Sequence, residues 1–148
     1  MKRRTRSKKQ GPVKSKKVVH DGITFASGLE KYMYCALKKA GIQAEYEGES
    51  YNLLEPFHLP NECYERWGKS EITERGQRKI HGMRYTPDFI ANDFVIECKG
   101  RANDAFPLRW KLFKKYVADN LPGVTLYKPQ KQSECDRVVE LILEKRNA

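Results

Sequence analysis

The chain carries Pro87-Asp88 and, after eight intervening residues, Glu97-Cys98-Lys99. The residues around and between them read as two short strands, over 84–90 and 94–98, joined by a tight turn at Asn92-Asp93. Counting outward from a two-residue turn sets Asp88 directly opposite Glu97, and a three-residue turn would make them diagonal neighbours. Facing residues share one side of a sheet, with Cβ atoms about 4.5–5.5 Å apart. Lys99, two positions beyond Glu97, projects from that same side, while Cys98 points the other way with Phe94 and Ile96. Any fold for this chain must therefore accommodate two like charges held side by side.

Two carboxylates so placed repel each other and weaken the sheet. A divalent cation removes the penalty, and Mg²⁺ is commonly held by one or two carboxylates, with water and substrate phosphate completing its octahedron. Lys99 then supplies a compact cation for a phosphate or an attacking water. The plainer reading of the same residues is an exposed hairpin with an ordinary Lys–Glu pair. Glu30 also has two readings, which are compatible. In Ser27-Gly28-Leu29-Glu30 it completes a capping box that opens a helix, and it lies at the edge of that helix's apolar stripe, where a third carboxylate could face the strands. Glu45, Glu47 and Glu49 alternate along one strand face and read as solvated.

The rest of the chain gives the order α-β-β-β-α-β-α, a mixed α/β arrangement. The first helix runs from Ser27 through Leu29, Met33, Ala36, Leu37 and Ala40 to a stop at Gly41. Residues 42–54 form one strand or a hairpin, with Ala44, Tyr46, Tyr51 and Leu53 apolar. Residues 55–83 lose the pattern and read as an insertion, with room for a short hairpin of its own. A helix follows over 107–120, started by Pro107 and buried through Leu108, Leu112, Phe113, Tyr116 and Val117. Val124 to Tyr127 is a strand, and Ser133 caps a last helix ending near Lys145.

Of the 148 residues, those from Lys2 to Lys17 include nine Lys or Arg and no acid, in a chain of net charge +10. This cationic tail over 1–18 (Lys2, Arg3, Arg4, Arg6, Lys8, Lys9, Lys14, Lys16 and Lys17) is expected to be disordered and to contact nucleic-acid phosphate with salt-sensitive, sequence-independent affinity. Residues 19–148 form a single, nearly neutral domain. Arg109, Lys111, Lys114 and Lys115 surround the helix that follows the acidic cluster and read as a solvated or a phosphate-contacting face. Cys35, Cys63, Cys98 and Cys135 show no CxxC spacing, which suits reduced thiols rather than zinc. No apolar run is long enough to span a membrane, and no apolar core follows the basic N-terminus, so a soluble, cytoplasmic setting is expected.

The elements Phe25-Ala26-Ser27-Gly28-Leu29-Glu30, Glu45-Tyr46-Glu47, Tyr85-Thr86-Pro87-Asp88-Phe89 and Glu97-Cys98-Lys99-Gly100 together resemble the PD-(D/E)xK nuclease superfamily. Within it, the chain is most similar to the phage endonuclease I type of Holliday-junction resolvase. The resemblance covers residues 23–100 and departs at 55–83, which is much longer here. It implies a restriction-endonuclease-like core, a central mixed sheet flanked by helices. It further implies an endonuclease that hydrolyses phosphodiesters in branched DNA during recombination, with Glu30, Asp88, Glu97 and Lys99 catalytic. Asp88, Glu97, the Cys98 backbone carbonyl and, in one reading, Glu30 would bind Mg²⁺, which Mn²⁺ could replace. The implied assembly is a homodimer, working in the cytoplasm of a bacterial host if phage-encoded. Alternatives are a nuclease of the same fold acting on nicked, linear or mismatched duplex, and a non-catalytic DNA-binding protein.

Overall fold

The computed structural model describes residues 15–148. The tail cations Lys2, Arg3, Arg4, Arg6, Lys8, Lys9 and Lys14 thus lie outside the described residues, while Lys16 and Lys17 are exposed.

Val18–His20 (β1) and Ile23–Phe25 (β2) pair as an antiparallel hairpin. Its turn, Asp21-Gly22, has φ of 50° and 73°, positive at both positions as a type I′ turn requires. Helix α1 spans Gly28–Lys39 with Ser27 as N-cap. It ends where Gly41 takes φ of 70°. There the Ile42 N–H donates to the Leu37 carbonyl at 2.9 Å and the Gly41 N–H to that of Lys38 at 3.1 Å. These are the two bonds of a Schellman cap, which a left-handed glycine permits.

Glu45–Tyr46 (β3) and Tyr51–Leu54 (β4) follow. They join different sheets, so residues 42–54 are neither one strand nor a hairpin. The backbone diverts at Glu47, where φ is 49°. Phe57–His58 (β5), Tyr64–Arg66 (β6), Ile72–Glu74 (β7), Lys79–Ile80 (β8) and Met83–Tyr85 (β9) come next. Their pairings nest: β4 with β9, β5 with β8 and β6 with β7, all antiparallel. The expected insertion is thus a long two-stranded ribbon, folded back on itself and largely exposed beyond its root.

The expected strand over 84–90 is divided, because β9 ends at Tyr85 and the next strand, Phe89–Ile90 (β10), resumes only after Pro87. Proline cannot donate to a ladder, which explains the break. Phe94–Ile96 (β11), helix α2 over Phe106–Asn120, Thr125–Tyr127 (β12) and helix α3 over Gln132–Arg146 complete the chain. The central sheet has the order β12-β11-β10-β3. Only β11 and β12 run parallel, and α2 supplies the crossover that parallel neighbours need. Without β1–β2 and the ribbon, the path is α1-β3-β10-β11-α2-β12-α3, the order expected for the core.

Helices cover both faces of the sheet. One core joins Met33 and Leu37 of α1 to Phe89, Phe94, Ile96 and Cys98 of the strands and to Cys135, Val138 and Ile142 of α3. The other joins Val95 to Tyr51 and Tyr85 at the ribbon root and to Phe106, Trp110, Phe113 and Val117 of α2. Two helix readings are corrected. Ser133 lies inside the first turn of α3; Lys131 is the cap position, and Glu134 Oε2 accepts the Gln130 N–H at 2.6 Å. In α2, Leu108 is 58% exposed and Trp110 only 7%. The helix begins one residue earlier than expected, and Phe106, Trp110, Phe113 and Val117 follow the 4-3-4 spacing of one face. Among the described residues, no helix is long and apolar enough to cross a membrane.

The two positions on α2 should behave oppositely. Trp110→Ala should cost about 3 kcal/mol of stability or more, whereas Leu108→Ala should stay within about 0.5 kcal/mol. Urea unfolding of both variants measures this, and a Leu108 variant as damaging as the Trp110 variant would contradict the packing described.

Candidate active site

The β10–β11 ladder pairs Phe89 with Ile96 and Ile90 with Val95. The Ala91 N–H donates to the Phe94 carbonyl at 3.0 Å across Asn92-Asp93. This is the two-residue-turn register, and it carries Asp88 and Glu97 to the mouth of the hairpin as the next facing positions. Phe94, Ile96 and Cys98 enter the core shared with α1 and α3. Val95, Glu97 and Lys99 occupy the opposite side, toward α2.

Each carboxylate has its own donors. The Cys98 N–H donates to Asp88 Oδ2 at 2.7 Å. The Tyr85 hydroxyl donates to Glu97 Oε2 at 2.6 Å. Glu30, only 6% exposed, accepts from the Ser27 hydroxyl at 3.1 Å through Oε1. Its Oε2 accepts from the Ala26 N–H at 3.1 Å and from the Tyr46 hydroxyl at 2.6 Å. The Glu30 N–H in turn donates to Ser27 Oγ at 3.2 Å. The capping box is therefore formed, and its glutamate is also buried and directed toward the sheet through Tyr46 of β3.

The donors are neutral, so they orient the acids without cancelling their charge. Burial, with Glu97 and Glu30 nearby, pushes the Asp88 carboxyl up to about 8, against the opposing effects of the Cys98 N–H and Lys99. Burial also raises Glu97, against the Tyr85 hydrogen bond and the Lys99 charge. The Tyr85 phenol is raised by burial and by Glu97, and that of Tyr46 by burial and by Glu30, so both remain donors. Lys99 is half-buried, and its Nζ lies 4.8 Å from the centre of the Phe106 ring, a cation–π contact that seats its head at the start of α2.

The structure thus gathers Asp88, Glu97 and Lys99 on one hairpin, with Glu30 near enough to raise Asp88. Among the described residues, no set of three or more His, Cys, Asp or Glu side chains is drawn together as a ready cation cage, since the carboxylates are turned toward separate donors. Their chemistry still fits a hard cation: they are oxygen donors, partly or fully buried, with the Lys99 charge acting on both Asp88 and Glu97. Glu45, Glu47 and Glu49 are exposed, as expected. Arg109, Lys111, Lys114 and Lys115 are exposed on α2, and Lys115 pairs with Asp119 at 3.0 Å. In the sequence, Tyr46 reads only as an apolar strand position and Tyr85 only as part of the segment that carries Pro87-Asp88. Their one sequence signal is that each lies within a few residues of an acid in the motif segments.

Both strand carboxyls gain protons more readily in the fold than in the unfolded chain. Their contribution to stability is therefore complete below their unfolded-state range, about pH 4, and is lost as pH rises, for Asp88 as it passes about 8. In EDTA, the melting temperature should fall between pH 5.5 and pH 8. Asp88→Asn should reduce that fall and melt on the order of 5 °C above the wild-type chain at pH 8. Equal pH slopes for the two proteins would show that Asp88 is not destabilised by ionisation.

No curated protein and no solved structure matches the chain. The family model that matches, over residues 10–134, shows that the chain belongs to DUF1064, a family described as a protein of unknown function.

Proposed function

We propose that this protein is a metal-dependent endodeoxyribonuclease that hydrolyses phosphodiester bonds in branched DNA, on a restriction-endonuclease-like core. The observation that carries this reading is the pairing of half-buried Asp88 with buried Glu97 at the mouth of one hairpin, with Lys99 beside them and only neutral hydrogen-bond donors to them. A purely binding surface has no use for desolvated acids next to phosphate, because they repel it. Asp88, Glu97 and the Cys98 carbonyl would hold Mg²⁺ or Mn²⁺, with Glu30 completing the acidic wall. When bound, such an ion supplies Lewis-acid stabilisation and a more acidic water.

The protein's own residues have separable tasks. Tyr85 and Tyr46 fix the orientations of Glu97 and Glu30. Lys99 brings a positive charge to the scissile phosphate, steadied by the Phe106 ring. The exposed cations of α2 and the N-terminal tail add phosphate contacts away from the reacting atoms. Branched DNA and a homodimer follow from the resemblance to the junction resolvases, since two coordinated cuts need two sites.

A labelled four-way junction and a matched linear duplex, each with Mg²⁺ and with EDTA, test the proposal. Cleavage of the junction should require Mg²⁺. Asp88→Asn and Glu97→Gln should abolish it while DNA binding persists, and Lys99→Gln should slow it by about a hundredfold or more. Absence of Mg²⁺-dependent cutting on both substrates would refute the enzyme, and equal cutting of both would refute junction selectivity.

A further inference from the structure

The ribbon between β4 and β9 is not accounted for by the site itself, and its charge is unevenly distributed. Its outer part, residues 62–74, holds Glu62, Glu65, Glu71 and Glu74 against Arg66 and Lys69. The returning segment, residues 75–84, holds Arg75, Arg78, Lys79 and Arg84 and no acid. Arg75 is occupied, with its guanidinium 4.5 Å from the centre of the Trp67 ring. Arg78, Lys79 and Arg84 are exposed.

The two of these that lie in strands face no acid across the ladder. Lys79 faces His58, and Arg84 faces Asn52. Glu74, the acid whose charge meets Arg78, has its carboxylate turned to the Cys63 and Gly76 N–H groups. Arg78 just before β8, Lys79 at its start and Arg84 in β9 thus put three exposed cations on the returning arm, none of them in an ion pair among the described residues. Such cations are stabilised by an external anion.

Their position indicates which anion. Arg84 immediately precedes Tyr85, whose hydroxyl holds Glu97, and lies four residues before Asp88. Four residues span at most about 14 Å, the rise of about four nucleotides on one DNA strand. Strand β9 is fixed at its root, because Tyr85 pairs with Tyr51 and both pack against Phe113. Arg84 therefore stands at a set distance from the acids rather than on a free arm, and Lys79 and Arg78 precede it on the same returning arm, farther from them.

We infer that the inner half of the ribbon, through Arg78, Lys79 and Arg84, is a second DNA-contacting element that grips backbone phosphates a few nucleotides from the cleaved bond. This rests on the nuclease reading for its substrate but not for its test. The acidic outer half stays off the duplex, so the contact is local to the root and is not a general effect of charge on the ribbon.

Binding of a labelled four-way junction, measured in EDTA across a salt series, tests the inference without any cleavage. The triple variant Arg78→Gln, Lys79→Gln, Arg84→Gln should bind about tenfold more weakly at 0.1 M salt. Its log–log salt dependence should be shallower by about 2.7, the release expected for three phosphates. The control Arg66→Gln, Lys69→Gln removes charge from the outer half and should keep the wild-type slope. Replacing the three residues by Arg or Lys in exchanged positions should restore most of the slope. An unchanged slope in the triple variant, or an equal loss in the control, overturns the inference. Tight binding with the expected slopes but no Mg²⁺-dependent cutting by the wild-type chain would leave the ribbon contact standing and remove the nuclease reading instead.

Discussion

The interaction on which the site depends is the pairing of β10 with β11. Its register is held by side chains other than the acids. Phe94 and Ile96 belong to the core under α1 and α3, and Val95 belongs to the core under α2. A slip of one residue would exchange these faces and drive Glu97 into the apolar layer that Cys98 now fills. The parallel partner β12 adds a further constraint, pairing Phe94, Val95 and Ile96 with Thr125, Leu126 and Tyr127. Hydrophobic packing thus imposes an electrostatic cost that the acids alone would avoid.

The scale of that cost decides how the surrounding residues should be read. Two unit charges at the roughly 5 Å typical of facing side chains repel by about 3 kcal/mol at an effective dielectric of about 20, before desolvation is counted. A hydrogen bond to a carboxylate returns about 1.5–3 kcal/mol. One such bond to Asp88 from Cys98 and one to Glu97 from Tyr85 can hold the oxygens in place. They do not restore ordinary acidity, since both carboxyls remain shifted toward the protonated form. A site arranged this way is stabilised by an incoming positive charge, which is the physical basis for the cation proposed there.

Much of this was readable from the chain because the relevant signals are local. The Asn92-Asp93 turn sets the register by counting. Ser27 and Glu30 form their capping box within a single helical turn, and Gly41 ends α1 through its own backbone angle. What escaped reading depends on partners distant in sequence. Residues 42–54 show no pattern revealing that β3 joins the central sheet while β4 leaves it for β9. Trp110 was obscured by the flanking cations Arg109 and Lys111, and the true face of α2 appears only once Phe106 is seen to start it. The ribbon defeats periodicity because, beyond its root, it is exposed on both faces, so no alternation marks its strands. Tyr46 reads as an apolar strand position, but alternation does not show that its hydroxyl meets a carboxylate from another element. Alternation along an unbroken 84–90 strand would set Tyr85 on the face of Phe89, whereas the break at Pro87 puts the two in different cores.

Tyr85 belongs to both parts of the molecule. Its backbone closes the ribbon against Tyr51, its ring packs on Phe113 and Trp110 of α2, and its hydroxyl holds Glu97. The same helix face carries Phe106, whose ring seats Lys99. A single aromatic layer therefore supports a carboxylate, the lysine and the root of the ribbon together. In a close-packed interior such a layer does not deform smoothly. Tyr85 is thus the residue at which the ribbon root meets Glu97, through one hydrogen bond of 2.6 Å. The long excursion over 51–85 is thus built into the support of the acids rather than appended to it.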